Sequence, residues 1–93
     1  MGNFSTLSYY RPSTASGRAA IPKNQAFVDV FVASGFSAES NVLAMLQSSR
    51  AGVWVRACRK NYPSLDYVRI YLNKVASTTS STPVAWFVFD APA

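Results

Sequence analysis

Between Asp66 and Lys74 the chain alternates without a break, Tyr67, Arg69 and Tyr71 against Val68, Ile70 and Leu72. In extended backbone these two sets point to opposite sides. The first set joins two aromatic plates to a guanidinium. Such a surface stacks on nucleic-acid bases while neutralising phosphate, and the same residue types are enriched at the centres of protein–protein interfaces. Phe27, Asp29 and Phe31 repeat the spacing earlier in the chain, as do Trp54, Arg56 and Cys58. If these stretches share a sheet, Phe27, Phe31, Trp54, Arg56, Tyr67, Arg69 and Tyr71 form one aromatic and basic interaction face. Arg59, Lys60 and Lys74 would extend its positive track.

Residues suited to covalent or acid–base chemistry are few. The chain has no histidine, which removes Ser–His and Cys–His nucleophile pairs. Cys58 lies beside Arg56, Arg59 and Lys60, neighbours that lower a thiol pKa where the sulfur is exposed to them; a lone strand cysteine is more often simply packed. Gly35-Phe36-Ser37-Ala38-Glu39 resembles a nucleophile elbow in position but lacks its second glycine and any base. Asp29, Glu39, Asp66 and Asp90 are scattered, with Asp29 and Asp90 the one pair that adjacent strands could bring together. No glycine-rich phosphate loop is present. The expectation is a protein that is not an enzyme, with no cofactor and no metal.

The elements that position these residues follow from periodicity. Ala26 to Ala33 predicts a first strand, with Val28, Val30 and Val32 on one face. Gly35 breaks it, Ser37 suits a helix N-cap, and Val42, Met45, Leu46 and Ser49 recur at three and four. That spacing predicts a helix over 38–50, stopped by Gly52. A strand over 53–60 follows, then a turn at Asn61-Tyr62-Pro63-Ser64, the alternating strand over 66–74, a polar loop over 76–83, and an apolar strand over 84–89. The last strand is apolar on both sides, Val84/Trp86/Val88 and Phe87/Phe89, as in strands covered twice. The order predicts a two-layer α+β sandwich: a four-stranded, mainly antiparallel sheet (β-α-β-β-β) whose last three strands form a meander. One helix would cover one face, Val68, Ile70 and Leu72 packing on Val42, Met45 and Leu46.

Residues 1–25 lack both periods and are rich in Ser, Thr, Ala, Gly and Pro. They predict an extended basic arm, with a compact domain over 26–93. Phe4, Leu7, Tyr9, Tyr10, Arg11, Arg18 and Lys23 are its candidate contacts with the domain or a neighbouring chain; a disordered terminus is the alternative. Met1-Gly2-Asn3-Phe4-Ser5-Thr6 fits the N-myristoylation pattern, with Gly2 as acceptor, in a form short enough to occur by chance.

Ninety-three residues make one small domain. Charged residues are only 14% of the chain, below the usual quarter. Two Trp, five Tyr and six Phe exceed what a small core readily hides. That surplus points to a partner. The net charge of +5 suits a polyanion or an acidic protein surface. A single cysteine allows no internal disulfide. No apolar run approaches a membrane span, and no charged-then-apolar leader opens the sequence; an intracellular or particle-borne protein is expected. Strand–helix–strand with aromatics on the sheet resembles the RNA-recognition fold, although a second helix and that fold's aromatic signatures are absent. A basic arm on a low-charge, β-rich domain is similar in style to small viral assembly subunits. The expected function is therefore a non-catalytic, self-associating structural subunit of a virion-like or other large particle, with homo-oligomers as partners. The alternative is a single-stranded nucleic-acid-binding module using the aromatic and arginine face.

Overall fold

The alternation at 67–72 is realised as a central strand with three fully buried side chains, Val68, Ile70 and Leu72. It belongs to a computed structural model that describes residues 14–90. The strands are β1 (Thr14–Ile21), β2 (Phe27–Phe31), β3 (Ser40–Leu46), β4 (Val55–Lys60), β5 (Tyr67–Leu72) and β6 (Thr82–Asp90). They form two three-stranded antiparallel sheets, ordered β1-β6-β3 and β2-β5-β4. Val84, Trp86 and Val88 of β6 join Val68, Ile70 and Leu72 of β5 in one core cluster, closed by Ile21 and Val32. The two layers are therefore sheet on sheet, an all-β sandwich.

The expected α+β class is overturned, because no helix occurs among the described residues. The segment predicted as a helix over 38–50 contains β3. In Val42-Leu43-Ala44-Met45-Leu46 both periods are available, since every position is apolar. Pairing along β6, Val42 opposite Val88 and Leu46 opposite Val84, selects the period of two. Val42, Ala44 and Leu46 pack on the core, while Met45 faces out. Ser37 is accordingly no helix cap: its hydroxyl accepts from the Glu39 N–H at 3.3 Å within a turn. Leu46→Ala is expected to cost about 2 kcal/mol, the low end for core truncation because Leu46 is only partly buried, and Met45→Ala within about 0.5 kcal/mol. Urea unfolding of the two variants checks the assignment; equal costs would contradict it.

The expected meander fails as well. β4 and β5 form a hairpin, but β6 crosses to the other sheet and pairs with β1 and β3. The stretch expected to be an arm divides at residue 14. Thr14–Ile21 is a strand paired along its whole length with β6, and Ile21 is fully buried. Small residues line its inner face because Trp86 lies there: a Cβ built on Gly17 would meet Trp86 Cζ2 at 2.8 Å. Phe4, Leu7, Tyr9, Tyr10, Arg11 and Gly2 lie outside the described residues.

Successive strands run in opposite directions, so the loops gather at two ends. Loops 22–26, 47–54 and 73–81 share one end and bring Lys23, Arg50 and Lys74 with no carboxylate. Glu39, Asp66 and Asp90 are at the other.

Candidate functional site

The outer face of the β2-β5-β4 sheet carries most of the residues singled out from the sequence. Asp29 and Arg69 are Cα partners across β2 and β5. The guanidinium donates to both carboxylate oxygens, Nε to Oδ1 at 2.7 Å and NH2 to Oδ2 at 2.9 Å. Such a two-point pair fixes the plane of the arginine. These bonds raise the Arg69 pKa above that of an ordinary arginine. Its Cζ also lies 4.2 Å from the Phe27 ring centroid and 4.8 Å from that of Tyr62.

Tyr62 was not foreseen as part of this face, and the turn that delivers it explains why. Asn61 adopts φ 54°, and its Oδ1 accepts from the Asp66 N–H at 3.0 Å. The loop folds back and sets the Tyr62 ring 3.9 Å from Arg59 Cζ. Arg59 sits directly opposite Arg69, a like-charge arrangement that is unfavourable by itself. The shared ring and Asp29 offset it.

Between Val55 and Ala57 the register of β4 shifts, so that Ala57 faces Tyr71 and Cys58 faces Ile70. A bulge of this kind reverses side-chain parity beyond it. Cys58 therefore points inward, not onto the outer face as its spacing predicted, and burial raises its pKa; the basic neighbours do not activate it. Arg56 stays outward with its Cζ 4.7 Å from the Tyr71 ring. Phe31 and Tyr67 stack tilted at 5.4 Å. Lys60 turns to the sandwich end, where Nζ donates to the Ser40 carbonyl at 2.6 Å. Of the face expected from the sequence, Phe27, Phe31, Arg56, Tyr67, Arg69 and Tyr71 do come together. Trp54 stands at its end, one residue before β4. Arg69 is fully committed to Asp29 and two rings, so the centre of the face is a closed cation–aromatic stack and not an open plate.

The outer face of the β1-β6-β3 sheet went unrecognised while β3 was expected to be a helix. Leu43, Met45, Phe87 and Phe89 are there 53, 54, 44 and 41% exposed. Leu43 opposes Phe87 directly, Met45 opposes Ala85, and Phe89 opposes Asn41. Shallow depressions of about 640 and 390 Å3 flank Phe87. Among the described residues the one charged side chain on this face is Arg18, on β1 opposite Ala85. The signal for this face was the pair Phe87/Phe89, already odd in a strand whose even positions suffice for a core.

At the acidic end, Ser40 Oγ donates to Asp90 Oδ1 at 2.6 Å and accepts from the Ser37 N–H at 2.8 Å. Lys60 bonds the Ser40 carbonyl, not its hydroxyl, so no lysine faces the serine as a base. The cluster ties the start of β3 to the end of β6. Asp29 and Asp90, the pair that adjacent strands could have brought together, lie in different sheets. Among the described residues no group of three metal-ligating side chains comes together, and no helix is long and apolar enough to cross a membrane. No protein-family model, characterised protein or solved structure matches this chain.

Proposed function

We propose that this protein is a non-catalytic assembly subunit that self-associates through the outer face of its β1-β6-β3 sheet. One observation carries this reading: Leu43, Met45, Phe87 and Phe89 form a contiguous, half-exposed apolar surface. Burying such side chains is worth about 1.5–3 kcal/mol each when complete. A second copy is the occupant that fits. The face has almost no charge, so it requires no complementary field, and a twofold axis sets apolar residues against apolar residues at the usual spacing of stacked sheets.

The face is small for a tight interface. Three strands about 4.8 Å apart and about seven residues long, at about 3.3 Å per residue, present a footprint of roughly 330 Å2. Each partner in a standard interface contributes about 800 Å2. Residues outside the sheet must supply the rest; the chain enters β1 at Thr14, opposite Phe89, and the thirteen residues before it include four large apolar or aromatic side chains. In this proposal Phe4, Leu7, Tyr9 and Tyr10 add the missing apolar area. Because one twofold contact closes at the dimer, they also supply the second contact that a larger particle needs.

Sedimentation over a concentration series tests the proposal. The full chain is expected to form dimers or larger species. Phe87→Asp, at an exposed position, should keep the unfolding transition and weaken association at least about tenfold, the equivalent of about 1.4 kcal/mol. A wild-type chain that stays monomeric at high concentration overturns it.

A further inference from the structure

The second sheet points to a different ligand at the basic end of the sandwich, around Trp54. Trp54 is 57% exposed and sits on a fixed base. Its backbone N–H donates to Asn73 Oδ1 at 2.9 Å, its carbonyl accepts from the Asn73 backbone N–H at 3.1 Å, and Asn73 Nδ2 donates to the Gly52 carbonyl at 2.9 Å. Asn73 thus holds the loop carrying the indole from three directions. Three cations belong to the same end: Arg56 two residues on, lying over Tyr71, Lys74, whose Nζ would lie 3.4 Å from a Cβ built on Gly52, and Arg50 in the same loop, bonded to Ser80 Oγ at 3.1 Å. Among the described residues none of these three cations has a salt-bridge partner, and the three loops at this end contain no Asp or Glu.

We propose that this end binds single-stranded nucleic acid, one base stacking on Trp54 while Arg56, Lys74 and Arg50 engage the adjoining phosphates. An exposed indole among unpaired cations supplies both parts of such recognition, a π-face that any base can use and a positive track for the backbone. Orientation by Tyr71 leaves the Arg56 N–H groups free at the edges of its plane, where phosphate oxygens bond. An acidic protein segment would use the cations but gain little from the indole. The site lies at the loop end of the sandwich and not on the face that carries Leu43 and Phe87, so it stands or falls independently of self-association.

Titration of the full chain with a twenty-residue oligothymidylate at low salt tests this. Saturable quenching of tryptophan fluorescence is expected, arising from Trp54 because Trp86 is buried. Trp54→Ala, followed by mobility shift, should weaken binding about tenfold, the usual scale for one lost stack. Arg56→Gln should reduce the slope of log affinity against log salt by about 0.7, one phosphate on a single strand. Thermal unfolding of both variants should match the wild type, since both side chains are exposed. Absence of quenching and mobility shift at low salt overturns the proposal. So does binding indifferent to Trp54→Ala, or competition by polyglutamate as effective as by oligonucleotide, either of which would mark plain charge attraction.

Discussion

A chain lacking residues 1–22 is expected not to fold under conditions where the full chain does, whereas one lacking only residues 1–13 should keep its cooperative unfolding transition. The longer deletion removes β1, and with it every backbone pairing along one edge of β6 from Thr82 to Phe89. It also removes Ile21, which is fully buried, and the cover that Ala15, Gly17 and Ala19 give Trp86 and its neighbours. Losing a buried isoleucine alone costs about 2–5 kcal/mol, against a total stability of about 5–15 kcal/mol for a domain. The shorter deletion leaves both sheets intact from Thr14 onward. Its expected effect is on association, through loss of Phe4, Leu7, Tyr9 and Tyr10. Circular dichroism during thermal melts, with sedimentation of the shorter variant, separates the two outcomes. A folded 23–93 fragment would show that β1 is dispensable.

The second large effect is expected at Trp86. Its side chain is 8% exposed at the centre of the β1-β6-β3 sheet, and Trp86→Ala should cost about 3–5 kcal/mol. Its Nε1 has no hydrogen-bond partner among the described residues, and a buried N–H left without one costs about 1–3 kcal/mol. Trp86→Phe removes that group and keeps an aromatic ring, so it should cost well under half as much as alanine. Gly17→Ala should cost about 1–3 kcal/mol as an overpacked position, its new Cβ meeting Cζ2, Cε2 and Nε1 of the indole at 2.8, 3.0 and 3.2 Å. Cζ2, the nearest of them, belongs to the benzo ring, which extends beyond the single ring of phenylalanine. In a double-mutant cycle Gly17→Ala should therefore be milder in the Trp86→Phe background, by about 1 kcal/mol, within the range for residues in contact. Additive costs in urea unfolding would place the strain elsewhere.

Much of the interior was legible because a strand writes its two faces locally. Val28/Val30/Val32 and Val68/Ile70/Leu72 alternate cleanly, and all six face the core. β3 was not legible. Val42 to Leu46 is apolar at every position, and Leu, Ala and Met favour helix when nothing else decides. β1 was hidden for the opposite reason. Its inward residues Ala15, Gly17 and Ala19 are small, since the volume on that side belongs to Trp86, and small residues leave no hydrophobic period. Of the aromatic and basic residues grouped from the sequence, Cys58 was turned inward by a bulge, Lys60 was drawn to the sandwich end, Trp54 stands just before β4, and a turn brought in Tyr62.

Taken alone, the sequence determined which residues of β2, β5 and β6 share a side, that Asn61 and Gly52 could take left-handed backbone, and that the aromatic surplus exceeds one core. Each follows from a residue's own stereochemistry or from neighbours two positions away. Tertiary structure alone decided which strands pair, that β6 leaves β5 for the other sheet, and that Leu43 and Met45 join Phe87 and Phe89 outside. Those outcomes depend on backbone hydrogen bonds between residues tens of positions apart, and on which of several apolar faces finds another to cover it. The apolar face left uncovered and the basic end around Trp54 are where the proposed functions rest.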